Sequence, residues 1–494
     1  MIYQQSARGF TMCKSIKWMN KVITMKNKWT IAATLSLCAF SALNALTLED
    51  GVKEVLNTNP IVQERLHNYR ATLEDLRTTE AQYLPTLDYT GSIGREKTDS
   101  PSTNFKSVSL NSYDHSLQLT QNLFNGFSTT YESDYNKARI LSAAYNYVEN
   151  ANDTAFNFTT AYINAIKTRD IVQIAESNVK YNKDISIKVE KLFNAGLTTR
   201  SEVEKADTSL SLAESNFVVS QNNLDDALFN LERIYGKRVK GDELQSTAFN
   251  GAVPDSLENM REYARLHNPS VLVNDYNIKA AHAQKLSLQK GYYPTIDAFA
   301  RQSWSNNVGG LVGNDDRTKY GLSLSYNLYR GGADESQIQK SLSKISQESE
   351  TKRDTLRKLD EQGSLSWSAK QNIERQLVYL KRYEATSKKT LELYEKEYDL
   401  GRRTLLDLTT AQNDHVSSLT QIVRAENDLL LSHYRILDAM GSMVSTILGT
   451  QSDLNFEKVG LKSLDNRLDN DEHLDNLIFA DRKIEKYKRD TLQQ

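Results

Sequence analysis

Tyr83-Leu84-Pro85-Thr86-Leu87-Asp88 returns 209 residues later as Tyr292-Tyr293-Pro294-Thr295-Ile296-Asp297, and Asn59-Pro60 returns at the same spacing as Asn268-Pro269. Beyond these points the spacing is 205: Leu123-Phe124-Asn125-Gly126 matches Leu328-Tyr329-Arg330-Gly331, Gly196 matches Gly401, and Gly236 matches Gly441. One four-residue length difference (209 minus 205) between Pro85 and Leu123 accounts for the change. A repeat of about 200 residues is far longer than a solenoid unit. Each copy is therefore a whole folding unit or half of a pseudo-symmetric one.

Downstream of each Pro-Thr motif the hydrophobic period changes to two. Tyr320, Leu322, Leu324, Tyr326 and Leu328 alternate with Gly321, Ser323, Ser325 and Asn327, the period of a strand with one apolar face. Aromatic residues near both ends of that face suit a strand half in lipid and half in water. Tyr113, His115, Leu117, Leu119, Gln121 and Leu123 repeat the pattern less purely. Leu87 to Glu96 and Ile296 to Val308 are the expected hairpin partners, across polar loops around Ser100 to Asn104 and Gly309 to Asp316. Four strands per chain cannot close a barrel, since the smallest membrane barrels have about eight.

The rest reads as helix. All six prolines lie at 60, 85, 101, 254, 269 and 294, and proline costs about 3 kcal/mol inside a helix. Pro60 opens a helix with Val62, Leu66, Tyr69, Leu73 and Leu76 at helical spacing, expected to run about 36 Å to Pro85. Phe127 to Asn194 is 68 residues without Pro or Gly, and Ala333 to Leu400 is 68 with only Gly363. At 1.5 Å per residue each is a rod of about 100 Å. Ala144, Val148, Ala151, Ala155, Phe158, Tyr162 and Ala165 form a seam on the first rod. Between Leu405 and Met440 a seam through Leu405, Leu408, Gln412, His415, Leu419, Ile422, Glu426 and Leu429 runs beside a second row, Val416, Val423, Leu430 and Leu437. Two adjacent seams predict neighbours on two sides, as in a coiled-coil wall. Gly196 and Gly401 end the long helices, and Thr or Ser residues beyond them cap the next.

Composition narrows the function. The first 45 residues carry six basic and no acidic residues and end in an apolar run, Trp29 to Phe40, and then small residues to Ala45. That is the layout of a secretory signal, with Met25 a possible start. The run is short for a spanning helix, and Cys38 is the alternative site of a lipid anchor. Without this leader the charge is 55 basic (61 minus 6) against 63 acidic, and both cysteines, Cys13 and Cys38, are gone. Disulfides cannot staple such a chain, and its acidic balance argues against nucleic acid as a partner. No HExxH pair, phosphate-cradling glycine loop or cysteine ligand set is present, so neither an enzyme nor a cofactor is expected. The acidic segment Asp465 to Asp475 lacks the glycine and terminal glutamate of a calcium loop.

The leader, the duplication, the order of motifs in both copies and the closing Leu437-Asp438-Ala439-Met440-Gly441 resemble the TolC-like outer-membrane efflux proteins over about residues 46 to 448. The resemblance implies a mainly α fold with a membrane β-barrel: three chains give four strands each to a twelve-stranded barrel continued by a twelve-helix periplasmic tunnel. It divides the chain into a signal peptide (1–45), a first repeat (46–250, hairpin 86–125), a second repeat (251–448, hairpin 295–330) and a polar tail (449–494). It further implies a homotrimeric exit duct in the outer membrane of a Gram-negative bacterium, recruited by a periplasmic adaptor and an inner-membrane ABC or proton-driven transporter. Type I protein secretion is the expected task, because Gly401-Arg402-Arg403-Thr404-Leu405-Leu406-Asp407 resembles the TolC branch; small-molecule efflux is the alternative, and a coiled-coil adaptor the alternative of another class.

By the same resemblance, Ser201, Glu202, Tyr398 and Arg403 form the periplasmic gate and Asp407 the constriction ring, with Thr410 where relatives carry a second aspartate. Gly196, Leu197, Thr198, Gly401 and Arg402 form the adaptor-contacting tips, and Tyr320, Leu322, Leu324, Tyr326 and Leu328 the membrane-facing strand. An Arg403 to Glu202 contact is the expected latch.

Overall fold

The computed structural model describes residues 46–449; the leader, Cys38, the segment 465–475 and all but the first residue of the tail lie outside them. In chain order the first copy gives α1 (Leu48–Thr58), α2 (Pro60–Glu80), β1 (Thr86–Thr98), β2 (Val108–Phe124), α3 (Ser128–Asn194) and α4 (Arg200–Tyr235). The second gives α5 (Leu257–His267), α6 (Pro269–Leu288), β3 (Thr295–Asn306), β4 (Asn314–Ser325), α7 (Ala333–Asp399) and α8 (Leu405–Met440), followed by the short α9 (Met443–Leu448).

The repeated Asn-Pro is a helix start. Asn59 Oδ1 accepts from the Ile61 amide at 2.9 Å, and Asn268 Oδ1 accepts from the Ser270 amide at 2.8 Å. Each proline sits where its missing N–H costs nothing. α2 stops at Glu80, short of the expected length, because residues 81–83 tighten into a 3₁₀ turn ahead of Pro85.

The four strands form one antiparallel sheet in the order β1-β2-β3-β4. Thr86 pairs with Thr120 in the first hairpin and Thr295 with Ser325 in the second. The two registers are thus related by 209 on the leading strand and 205 on the returning one, which puts the four-residue difference in the hairpin loops.

Registration sorts the side chains. On one face Leu87, Leu119, Ala300 and Tyr320 lie in a row, with Tyr89, Ile93, Leu117, Leu322 and Leu324 on the same side. On the other lie Asp88, Gln118, Arg301 and Lys319, then Thr90, Ser116, Ser303 and Arg317. Ile93 and Leu322 are 75% and 70% exposed, and among the described residues neither the outer edge of β1 nor that of β4 is paired. The expected strand Tyr320 to Leu328 needs correction, since pairing ends at Ser325 and Tyr326 and Leu328 lie past it. β3 starts at Thr295, and the residue before it, Pro294, has no N–H with which to extend the ladder.

α3 and α7 are 67 residues each, about 100 Å long. α3 packs against α4, α6 and α2, and α7 against α8 and α6. Around Ile140 to Ala165 α3 is buried on several sides, and Gly51 of α1 leaves room there for the ring of Phe158.

Buried helix seams are also formed by small residues. Ala206, Ala213, Ser220 and Ala227 of α4 recur every seven residues, and at an offset of 205 so do Ala411, Ser418, Ala425 and Ser432 of α8. All but Ser220 are buried. Small side chains at heptad spacing let the backbones approach and impose the slow left-handed wind of a coiled coil. Of the apolar rows expected on α8, Leu405, Leu408 and Leu437 are buried, whereas Val416, Val423 and Leu430 are half-buried and Glu426 is exposed.

Candidate aperture at the hairpin tips

Both helical hairpins reverse by the same device. Gly196 and Gly401 take φ of +75° and +69°, and the next residue's amide reaches back along the helix: Leu197 N to Leu192 O at 2.9 Å, Arg402 N to Glu397 O at 2.8 Å. This closure satisfies carbonyls that the helix end would otherwise orphan. It leaves the tip residues Leu197 and Arg402 exposed.

Above the turns the two hairpins are packed together. Val189, Val203, Ala206 and Leu405 form a buried cluster joined by Ile185, Phe193 and Tyr398. One turn up, Leu391, Leu408 and Ala411 pack with Tyr181 and Tyr394. Lys188 of α3 pairs with Asp399 at the end of α7, tying one hairpin to the other at the surface. Further up, Gln412 Nε2 donates to Asn178 Oδ1 at 2.9 Å, and Asn182 Nδ2 donates to the same oxygen at 3.0 Å, a buried polar layer between α3 and α8.

The residues expected at the gate divide into two groups. Tyr398 is half-buried in the tip cluster; burial raises the pKa of its hydroxyl, and the neighbouring charges of Glu202 and Asp399 raise it further. Tyr398 and Glu202 are thus neighbours, and Ser201 is exposed beside Glu202. Arg403 is not part of that group within the chain. Its Nε donates to Glu397 Oε2 at 2.7 Å and its guanidinium lies 4.2 Å from the centre of the Tyr394 ring, while Glu202 pairs with Lys205 at 2.9 Å. The Arg403 to Glu202 contact is therefore not made inside one protomer. Glu397 lies six residues before Arg403, a separation that becomes a contact only once the glycine turn folds.

Asp407 has a structural task as well. Its carboxylate accepts from Thr404 Oγ1 at 2.8 Å and from the Thr404 amide at 3.2 Å, and its own amide donates to Thr404 Oγ1 at 3.3 Å. This reciprocal capping box starts α8, and the hydrogen bonds from Thr404 hold the Asp407 pKa below the ordinary aspartate value. Thr410 spends its hydroxyl on Leu406 O at 2.8 Å, so one carboxylate per chain stands at this level of α8.

Charge and cap are separable. Asp407→Asn keeps an acceptor for the Thr404 amide, so α8 should still begin at Leu405; if Asp407 lines a constriction, as the resemblance implies, the substitution lowers its cation preference, read as a smaller reversal potential in a salt gradient. Thr404→Ala retains the charge but loses the cap, at about 1 kcal/mol. Hydrogen exchange of the Asp407 amide, which donates to Thr404 Oγ1, should quicken about fivefold with selectivity unchanged; unaltered exchange contradicts the cap.

A sheet apolar on one face and polar on the other, open at both edges and continuous with helical hairpins about 100 Å long, defines the protomer of a membrane channel. The chain belongs to the outer membrane efflux protein family, whose pattern matches residues 51–237 and 261–442, one block in each copy. It is 24% identical over 404 residues to the outer membrane efflux protein BepC of Brucella suis biovar 1, covering 81% of this chain and 86% of BepC. It is also 24% identical over 430 residues to the alkaline protease secretion protein AprF of Pseudomonas aeruginosa, covering 83% and 87%. In fold it is similar to the CmeC outer membrane channel of Campylobacter jejuni, with a TM-score of 0.72 at 14% identity over 83% of this chain and 89% of that one. The protein is an outer-membrane efflux channel with a long periplasmic helical body, and not an enzyme.

Proposed function

We propose that three copies of the chain form the exit duct of a tripartite export system that performs type I protein secretion. The observation that carries this reading is the sheet: four strands, two unpaired edges, one apolar face and one polar face, too few to enclose a pore alone. Three such sheets make twelve strands, with Tyr320, Leu322 and Leu324 toward outer-membrane lipid and Asp88, Arg301 and Lys319 toward the lumen. The periplasmic adaptor meets Gly196, Leu197, Thr198, Gly401 and Arg402 at the exposed tips and couples the duct to an inner-membrane ABC transporter. Ser201, Glu202, Tyr398 and Arg403 hold the aperture closed until it does, and Asp407 supplies three carboxylates to the narrowest ring. The similarity to a protease secretion protein along most of both chains supports a protein cargo.

Similarity of equal depth to an efflux protein favours the second reading, export of small molecules by a proton-driven pump. Deleting the gene should remove a protein from the culture supernatant, with restoration by the intact copy and not by one carrying Leu197→Asp at the tip. An unchanged secretome with raised drug or metal susceptibility selects the second reading.

A further inference from the structure

Within the protomer β2 of the first copy pairs with β3 of the second. The repeat carries β2 onto β4 by adding 205 and β3 onto β1 by subtracting 209. The β2 to β3 junction thus has an equivalent that no single chain makes, β4 against β1 of a neighbouring copy. We propose that successive protomers join in the register the repeat dictates, with Lys319 facing the partner's Glu96 and Asn327 donating to the partner's Asp88. This rests on the reading of the duct as a ring of three copies, and adds to it the contacts that seal the ring.

The offsets hold through the strands, because both hairpin registers obey them. Applied to the junction, they return chemically sensible partners at each point. Asn122 Nδ2 donates to Asp297 Oδ1 at 2.7 Å; the equivalents are Asn327 and the partner's Asp88, the same two residue types. Ser305 Oγ donates to Asp114 at 2.7 Å; the equivalents are the partner's Glu96 and Lys319, opposite charges. Inside its own chain Lys319 lies directly across from Arg301, a like-charge pairing that disfavours the sheet, and it makes no hydrogen bond or ion pair among the described residues. A carboxylate on its open side removes that conflict.

Faces agree as well. Leu117 opposite Gln302 becomes Leu322 opposite the partner's Ile93, and Gln121 opposite Ala298 becomes Tyr326 opposite the partner's Tyr89. A slip of one residue would turn one strand's apolar set into the lumen. The same register explains why Tyr326 to Tyr329 have no ladder partner among the described residues: their place in the ladder is opposite the partner's Leu87 to Tyr89.

The turn below supports the match independently. A Cβ on Gly126, at φ +67°, would stand 2.8 Å from Tyr293 Cβ and 3.1 Å from Lys290 Cα. Its equivalent Gly331 keeps φ +63° with nothing within 4 Å. The repeat fills that space with the partner's Leu84 and Ala81.

Cysteine pairs read the register directly, since opposed residues on antiparallel strands lie about 4.5 to 5.5 Å apart, within disulfide reach. The doubles Leu322→Cys with Ile93→Cys, and Lys319→Cys with Glu96→Cys, should yield covalent trimers on oxidation and non-reducing electrophoresis. Leu322→Cys with Gly91→Cys or with Arg95→Cys, each displaced two residues on the same face, should yield few. Lys319→Glu should lower the temperature at which trimers separate, and added Glu96→Lys should restore it. Trimers that link in a displaced pair, or that charge reversal fails to restore, overturn the register while leaving the ring intact. A single-chain mass in detergent overturns both.

Discussion

Arg403→Ser is expected to raise the conductance of the channel in planar bilayers. Arg403 closes the second tip on itself, bound to Glu397 and stacked on Tyr394, at the point where α7 hands over to α8. Both partners of the ion pair are more than a third exposed, so solvent screens it and each copy contributes modestly. Threefold assembly changes the scale. If each contact favours the closed tip by a factor of ~5, three acting together multiply to ~100, enough to move a closed aperture into a measurable open population.

Companion variants separate two routes to that result. Glu397→Gln reproduces the rise if the contact within the tip holds the aperture, whereas Glu202→Gln reproduces it if Arg403 reaches Glu202 across subunits. Conductance at the wild-type level in all three removes the tips from gating. Raised conductance with Glu202→Gln alone restricts the latch to the group around Tyr398, whose hydroxyl feels the charge of Glu202.

Most of the helical body was legible because helix formation is local. The absence of proline between 295 and 494, the glycine turns and the Asn-Pro starts each act within a few residues of themselves. The end of β4 was not legible, because Ser325 is its last residue only by virtue of where β3 begins; Tyr326 and Leu328 carry the right pattern but lack a partner in the chain. The contact of Arg403 with Glu397 was not legible, since it exists only after the Gly401 turn folds. The small-residue seams of α4 and α8 were not legible for a different reason. Apolar periodicity is carried by Leu and Val, while buried Ala and Ser positions at heptad spacing add little to it.

That last point carries the largest expected loss of stability. Ser418 of α8 is fully buried, with its Oγ 3.1 Å from Ser387 Oγ of α7. Both hydroxyls also donate to carbonyls of their own helices, so the seryl pair serves mainly to keep the helices close. Ser418→Leu forces a branched aliphatic side chain into that gap and must push α7 away or abandon its rotamer, costing about 1 to 3 kcal/mol per chain. A displaced helix in a closed ring disturbs both of its neighbours, so the cost reaches the assembly as well as the chain. Ser418→Ala removes a locally satisfied hydroxyl and should change stability little. Ala213, 205 residues earlier on α4, is likewise buried on a helix that packs against α3, and Ala213→Leu should destabilise by a similar amount. Thermal unfolding followed by circular dichroism, with the oligomer tracked by light scattering, measures both. If the two leucine variants melt with the wild type, close approach along this heptad is not what holds the tunnel wall together. If only one is destabilised, the two copies have diverged in how their helices meet, and the duplication no longer implies equivalent packing.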